Sequence, residues 1–174
     1  MIDDVIVGLI GSLILVAGAA WPSKKVELPT QSKKNWLFAV GGLIMLLYSV
    51  LNYLAGGSVF YIFLQLFVTV GAILMMLNTP DKVDVPILSV LGFGFIVWSL
   101  YLFEGYNTVF FVFGLIGIAM GYSFDDGSIR RDAALTFGSF LIAGFSYMEA
   151  NWIFFWLNLA FGLFSAYYLL KRWV

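Results

Sequence analysis

The sequence predicts an all-α integral membrane protein: seven transmembrane helices, in two parallel three-helix units joined by a linker helix. Three observations predict it. Of 174 residues, 62% are apolar and only 11% are charged. The apolar residues gather into seven runs, and the basic residues fall into alternate loops and the C-terminal tail. A soluble domain carries about 25% charged residues; lipid reverses that demand and wants apolar side chains facing outward.

The runs occupy roughly 5–21, 36–54, 59–77, 86–103, 108–122, 133–148 and 152–170. A helix crossing the hydrocarbon core needs about 20 residues, with a range of about 17–25. The first run ends in Ala17-Gly18-Ala19, small residues of the kind found at a signal-peptide cleavage site. It begins Met1-Ile2-Asp3-Asp4, without the basic start a signal peptide needs, so it reads as a retained helix. The fifth and sixth runs are short. They must borrow flanking residues, thin the bilayer or pack inside the bundle, and a six-span arrangement with one of them re-entrant stays open.

Lys24, Lys25, Lys33, Lys34, Lys82, Arg130, Arg131, Lys171 and Arg172 all fall in the first, third and fifth loops and the tail. The other loops hold Glu104 and Glu149 and no basic residue. Because Lys and Arg are retained on the cytoplasmic side, the expected N-terminus is outside and the C-terminus cytoplasmic. Short loops fit a prokaryotic inner (plasma) membrane. Trp21, Trp36, Trp152 and Trp173 stand at span ends, as interfacial anchors do. Pro22, Pro29, Pro80 and Pro86 lie in or beside the basic loops, where they stop helices without losing a buried hydrogen bond.

Short similarities recur along the chain. Gly8-Leu9-Ile10-Gly11 matches Gly114-Leu115-Ile116-Gly117, Leu64-Gln65-Leu66 matches Leu157-Asn158-Leu159, and Tyr48-Ser49 matches Phe145-Ser146. Kept in order, they divide the chain into a first three-helix unit (1–78), a linker with the fourth span (79–107) and a second unit (108–174). With one span between them the units share an orientation, a parallel repeat. Trp98-Ser99 in the fourth span permits a rival division into three helical hairpins after a single helix.

This 3+1+3 pattern resembles the SWEET and PQ-loop superfamily of small-solute transporters, whose half-size members have one three-helix unit and to which nicotinamide riboside transporters are related in architecture. The segment 37–77, with Gly41-Gly42, Asn52, Gly56-Gly57 and Gln65, is similar to the second and third helices of a three-helix member. The resemblance implies facilitated transport through a cavity between the units, faced in the sugar-transporting members by an Asn from the third helix and an Asn from the seventh. Gln65 and Asn158 occupy those places. The Pro-Gln dipeptide that names the superfamily is absent, which leaves the hinging of the first helix open.

The residues themselves point the same way. A carboxamide in the bilayer core is costly unless hydrogen-bonded, and Gln65 and Asn158 each stand three positions before the middle of their spans. Each offers donors and acceptors suited to a sugar hydroxyl or the edge of a base. The alternative is that each bonds a neighbouring helix and holds the bundle. Tyr48 and Phe145 are the flanking aromatic candidates, ahead of Trp98 and of Trp156, which lies about 200° around the helix from Asn158. Asn52 reads as a cap of the second helix. Gly8, Gly11, Gly114, Gly117, Gly121 and Gly138 read as packing residues that let helices approach closely. Asp125-Asp126-Gly127-Ser128 reads as a turn, not a cation site.

Other classes recede. A net charge of −1 does not suit a nucleic-acid binder. Without Cys or His the chain has no thiolate, no usual haem or zinc ligand and no usual general base, so no enzyme activity, metal or cofactor is expected. No charged residue lies well inside a span, which argues for passive movement of a neutral solute over ion-coupled pumping. The expected partners are membrane lipid and that solute. A second copy of the chain or a membrane-protein partner stays open, as does a non-transporting subunit or scaffold of a larger membrane complex.

Overall fold

A computed structural model describes residues 2–21, 28–124 and 128–171. The described residues form seven α-helices and one short 3-10 turn, with no strand. The helices are α1 (Ile2–Ala20), α2 (Lys33–Leu54), α3 (Phe60–Leu77), α4 (Asp81–Tyr101), α5 (Tyr106–Ser123), α6 (Ile129–Met148) and α7 (Trp152–Lys171), with the turn at Pro29–Gln31. Five of them, α2, α3, α4, α5 and α7, are long and apolar enough to cross a membrane. The apolar part of α1, Asp4–Ala20, is shorter. The 20 residues of α6 open on Arg130-Arg131-Asp132. Such a set of apolar helices marks a membrane protein, and 18–22 residues at 1.5 Å each reach about 27–33 Å.

The helices outgrow the apolar runs mainly at their N-termini, because polar residues cap and open them. Ser32 accepts from the Asn35 N–H at 3.3 Å, and Ser128 from the Arg131 N–H at 3.1 Å, each satisfying an orphan donor of the first turn. Pro80 starts α4 by accepting from Val83 and Asp84. Pro86 therefore lies inside α4, five residues after its start, and does not stop a helix as the sequence suggested. This early in the helix it deprives only the carbonyl of Lys82, an exposed residue, of its partner. Asn52 does not cap α2 with its side chain. The end is closed by the backbone, Gly57 N–H donating to the Asn52 carbonyl at 2.8 Å, with Gly56 at φ 93°, a left-handed turn that suits glycine. Asp125, Asp126 and Gly127, like Pro22, Lys24, Lys25, Arg172 and Trp173, lie outside the described residues.

The chain forms two compact units, Met1–Ile87 and Leu88–Val174, divided within α4. In the first, α2 packs against both α1 and α3; in the second, α6 packs against both α5 and α7. Glycine sets the spacing. A Cβ on Gly41 would lie 2.8 Å from Leu15, and one on Gly11 2.9 Å from Met45. In the second unit the backbones themselves meet: a Cβ on Gly117 would stand 2.7 Å from the Gly138 Cα, and one on Gly138 2.6 Å from the Ile118 nitrogen. Without a hydrophobic force between helices in lipid, this close contact is what holds a helix pair together.

Candidate functional site

The third helix of the first unit carries the more unusual polar pair. Gln65 is 3% exposed and Thr69, one turn later, 2% exposed. Neither Gln65 Oε1 nor Thr69 Oγ1 has a hydrogen-bond partner among the described residues. The Thr69 hydroxyl is turned out of its own helix: it lies 3.2 Å from where a Cβ on Gly42 of α2 would be. Ser49, Ser99, Thr136 and Ser146 instead return their hydroxyls to carbonyls of their own helices at 2.7–2.8 Å. The sequence reading missed Thr69, whose only signal was its i+4 spacing from Gln65.

In the second unit Asn158 is 7% exposed. Its Nδ2 donates to the Phe154 carbonyl of its own helix at 2.8 Å, which engages one of its two N–H groups. One turn later Gly162 approaches the Phe140 ring of α6, 3.1 Å from a Cβ there.

Tyr48 and Phe145 are both buried. Each stands on the stripe of its helix that faces the first helix of the unit. Tyr48 shares a stripe with Gly41 and Met45, which meet α1, about 120° around α2 from Gly42. Phe145 packs on Phe111 of α5, centroids 5.3 Å apart at 58°. The rings thus belong to the first-to-second-helix interfaces, and the carboxamides lie on the third helices. Trp98 and Trp156 are exposed, as are Trp21, Trp36 and Trp152. The Trp36 indole N–H donates to the Thr30 carbonyl at 2.8 Å, tying the 3-10 turn to α2.

Away from the carboxamides, Asn107 Nδ2 donates to Glu149 Oε1 at 2.9 Å, joining the start of α5 to the end of α6. Among the described residues every Lys, Arg, Asp and Glu on a helix stands within four positions of a helix end. Compared with protein-family models, curated proteins and solved structures, the chain matches none.

Proposed function

We propose that the chain is a membrane facilitator for a small neutral polar solute, sugar-like or nucleoside-like, built from two copies of a three-helix motif. The observation that carries the reading is the equal placement of Gln65 and Asn158. All four buried residues of α7, Phe154, Leu157, Asn158 and Gly162, have buried counterparts in α3 at one offset of 93: Tyr61, Leu64, Gln65 and Thr69. Packing supports the remaining helices. Gly41 and Met45 correspond to Gly138 and Ile142 (138 − 41 = 142 − 45 = 97), and Gly11 and Gly18 to Gly114 and Gly121 (114 − 11 = 121 − 18 = 103). The first helices thus correspond about one turn away from the tetrapeptide match, whose offset is 106.

The same offsets place Asp4 and Asn52 where the second unit has Asn107 and Glu149 (107 − 103 = 4; 149 − 97 = 52). A carboxylate and a carboxamide recur at those two positions with their places exchanged. Gly8 and Tyr48 likewise stand where Phe111 and Phe145 pack together, one small residue offsetting a larger ring.

In this reading Gln65 and Asn158 contact the solute, and Tyr48 and Phe145 shape the units that carry them. The lack of charge away from helix ends supports passive movement. The N-terminus faces outside and the C-terminus the cytoplasm of a prokaryotic inner membrane, and the 3+1+3 kinship is with SWEET-like carriers. The test is uptake of labelled monosaccharides, disaccharides and nucleosides into proteoliposomes, beside a Gln65→Ala/Asn158→Ala variant. Uptake of one class that the variant loses is the expected result. A folded, reconstituted protein that moves nothing would shift the reading to a subunit of a larger membrane complex.

A further inference from the structure

We propose that Gln65 and Thr69 form a two-point receptor in the first unit for a hydrogen-bond donor, a hydroxyl of the solute, with Gly42 keeping it open. The proposal rests on the facilitator reading above and adds Thr69 and the donor requirement to it. Two polar atoms, each on a side chain at most 3% exposed, stand one turn apart on one face of α3 with no partner among the described residues. A buried oxygen without a donor is destabilising, so two of them on one face of an apolar helix call for a partner from outside the fold. The Gln65 carbonyl oxygen can only accept; the Thr69 hydroxyl can accept or donate. The occupant must therefore bring a donor. That selects hydroxyl- or N–H-bearing neutral solutes and rejects acceptor-only ethers and anions.

Thr69 has a cheaper alternative that it does not take. A helical threonine can return its hydroxyl to the carbonyl one turn back, as Thr136 does with Asp132 at 2.7 Å. Thr69 instead points across to α2 at Gly42, where α2 has no side chain. In the second unit the corresponding positions are Ser139 and Gly162 (42 + 97 = 139; 69 + 93 = 162), so the hydroxyl and the glycine have changed helices.

The test measures binding and stability of the purified full chain in detergent. Glycerol, glucose and uridine serve as donor probes, with trimethoxypropane and fully O-methylated glucose as acceptor-only controls. Wild type should bind at least one donor probe and no methylated control. Thr69→Val keeps the shape and removes the hydroxyl. It should weaken binding about tenfold while raising Tm without ligand, because a buried group without a partner has gone. Thr69→Ser should restore binding, and Gly42→Ala, which crowds the hydroxyl, should weaken it. If wild type binds a donor probe and Thr69→Val binds it equally well, the two-point receptor is refuted and the facilitator reading stands. A Thr69→Val chain with a lower Tm would also refute it, since the hydroxyl would then be holding the fold. Should wild type bind no probe, both readings fall.

Discussion

Gly138 offers the sharpest test of how the second unit is held together. A Cβ there would lie 2.6 Å from the Ile118 nitrogen, 2.8 Å from the Gly114 carbonyl oxygen and 2.9 Å from the Gly117 carbon, all backbone atoms. No rotamer change can relieve such contacts, so α5 and α6 must separate. Overpacking costs about 1–3 kcal/mol, and contact with backbone belongs at the upper end. Alanine recovers about 1 kcal/mol of helix propensity over glycine. Gly138→Ala should therefore lose about 2 kcal/mol, roughly a 30-fold shift in the folding equilibrium. Gly94→Ala in α4 is the control, because a Cβ on Gly94 meets nothing within 4 Å; it should be neutral or gain up to about 1 kcal/mol. Unfolding of the purified chain in mixed micelles, followed by tryptophan fluorescence, reads both. Equal stability of the two variants would refute the backbone-contact account of the α5–α6 pair.

Three other outcomes follow from the same packing. Phe145→Ala empties the place against Phe111 and should destabilise the chain by about 3–5 kcal/mol in the same unfolding assay. A double-mutant cycle on Asn107→Ala and Glu149→Ala should return a coupling of about 1–2 kcal/mol, since the 2.9 Å bond is to a carboxylate and only partly buried. The chain has no cysteine, so single cysteines report sidedness cleanly. Ser58→Cys and Glu104→Cys should react with an impermeant maleimide from outside intact cells, and Lys82→Cys only after lysis. The reverse pattern would invert the proposed orientation.

Much of the helical layout was legible because an apolar run of membrane length has few other outcomes. The legible part stopped at the ends. The fourth run reads as starting at Pro86, yet α4 begins at Asp81, since a proline near a helix start disturbs one exposed carbonyl and no more. The carboxamides were legible as polar letters in apolar spans. Thr69 was not, because threonine in a helix ordinarily satisfies itself, and only the direction of its hydroxyl, toward Gly42, distinguishes it. Phe145 shows the converse limit: its neighbours in sequence say nothing of the Phe111 ring that packs on it, 34 residues away (145 − 111).

The placement of charge on the helices bears on the proposed orientation. Lys33 and Lys34 open α2, Lys82 stands in the first turn of α4, and Arg130 and Arg131 in the first turn of α6. The N-terminal end of a helix carries the positive pole of its dipole, and a cation there is unfavourable by about 0.3–1 kcal/mol. Helix stability would put those cations at the other end, where α2, α4 and α6 carry no basic residue in the last turn. Asp84 shares the first turn of α4 with Lys82, and Asp132 that of α6 with Arg130 and Arg131, so only α2 takes the penalty with no acidic residue beside it. The proposed retention of positive charge on the cytoplasmic side would account for Lys33 and Lys34 at that end. Moving Arg130 and Arg131 into the Glu149 turn should then favour the helix dipole of α6 yet disturb insertion, which glycosylation or maleimide mapping of that turn would reveal as a mixed topology.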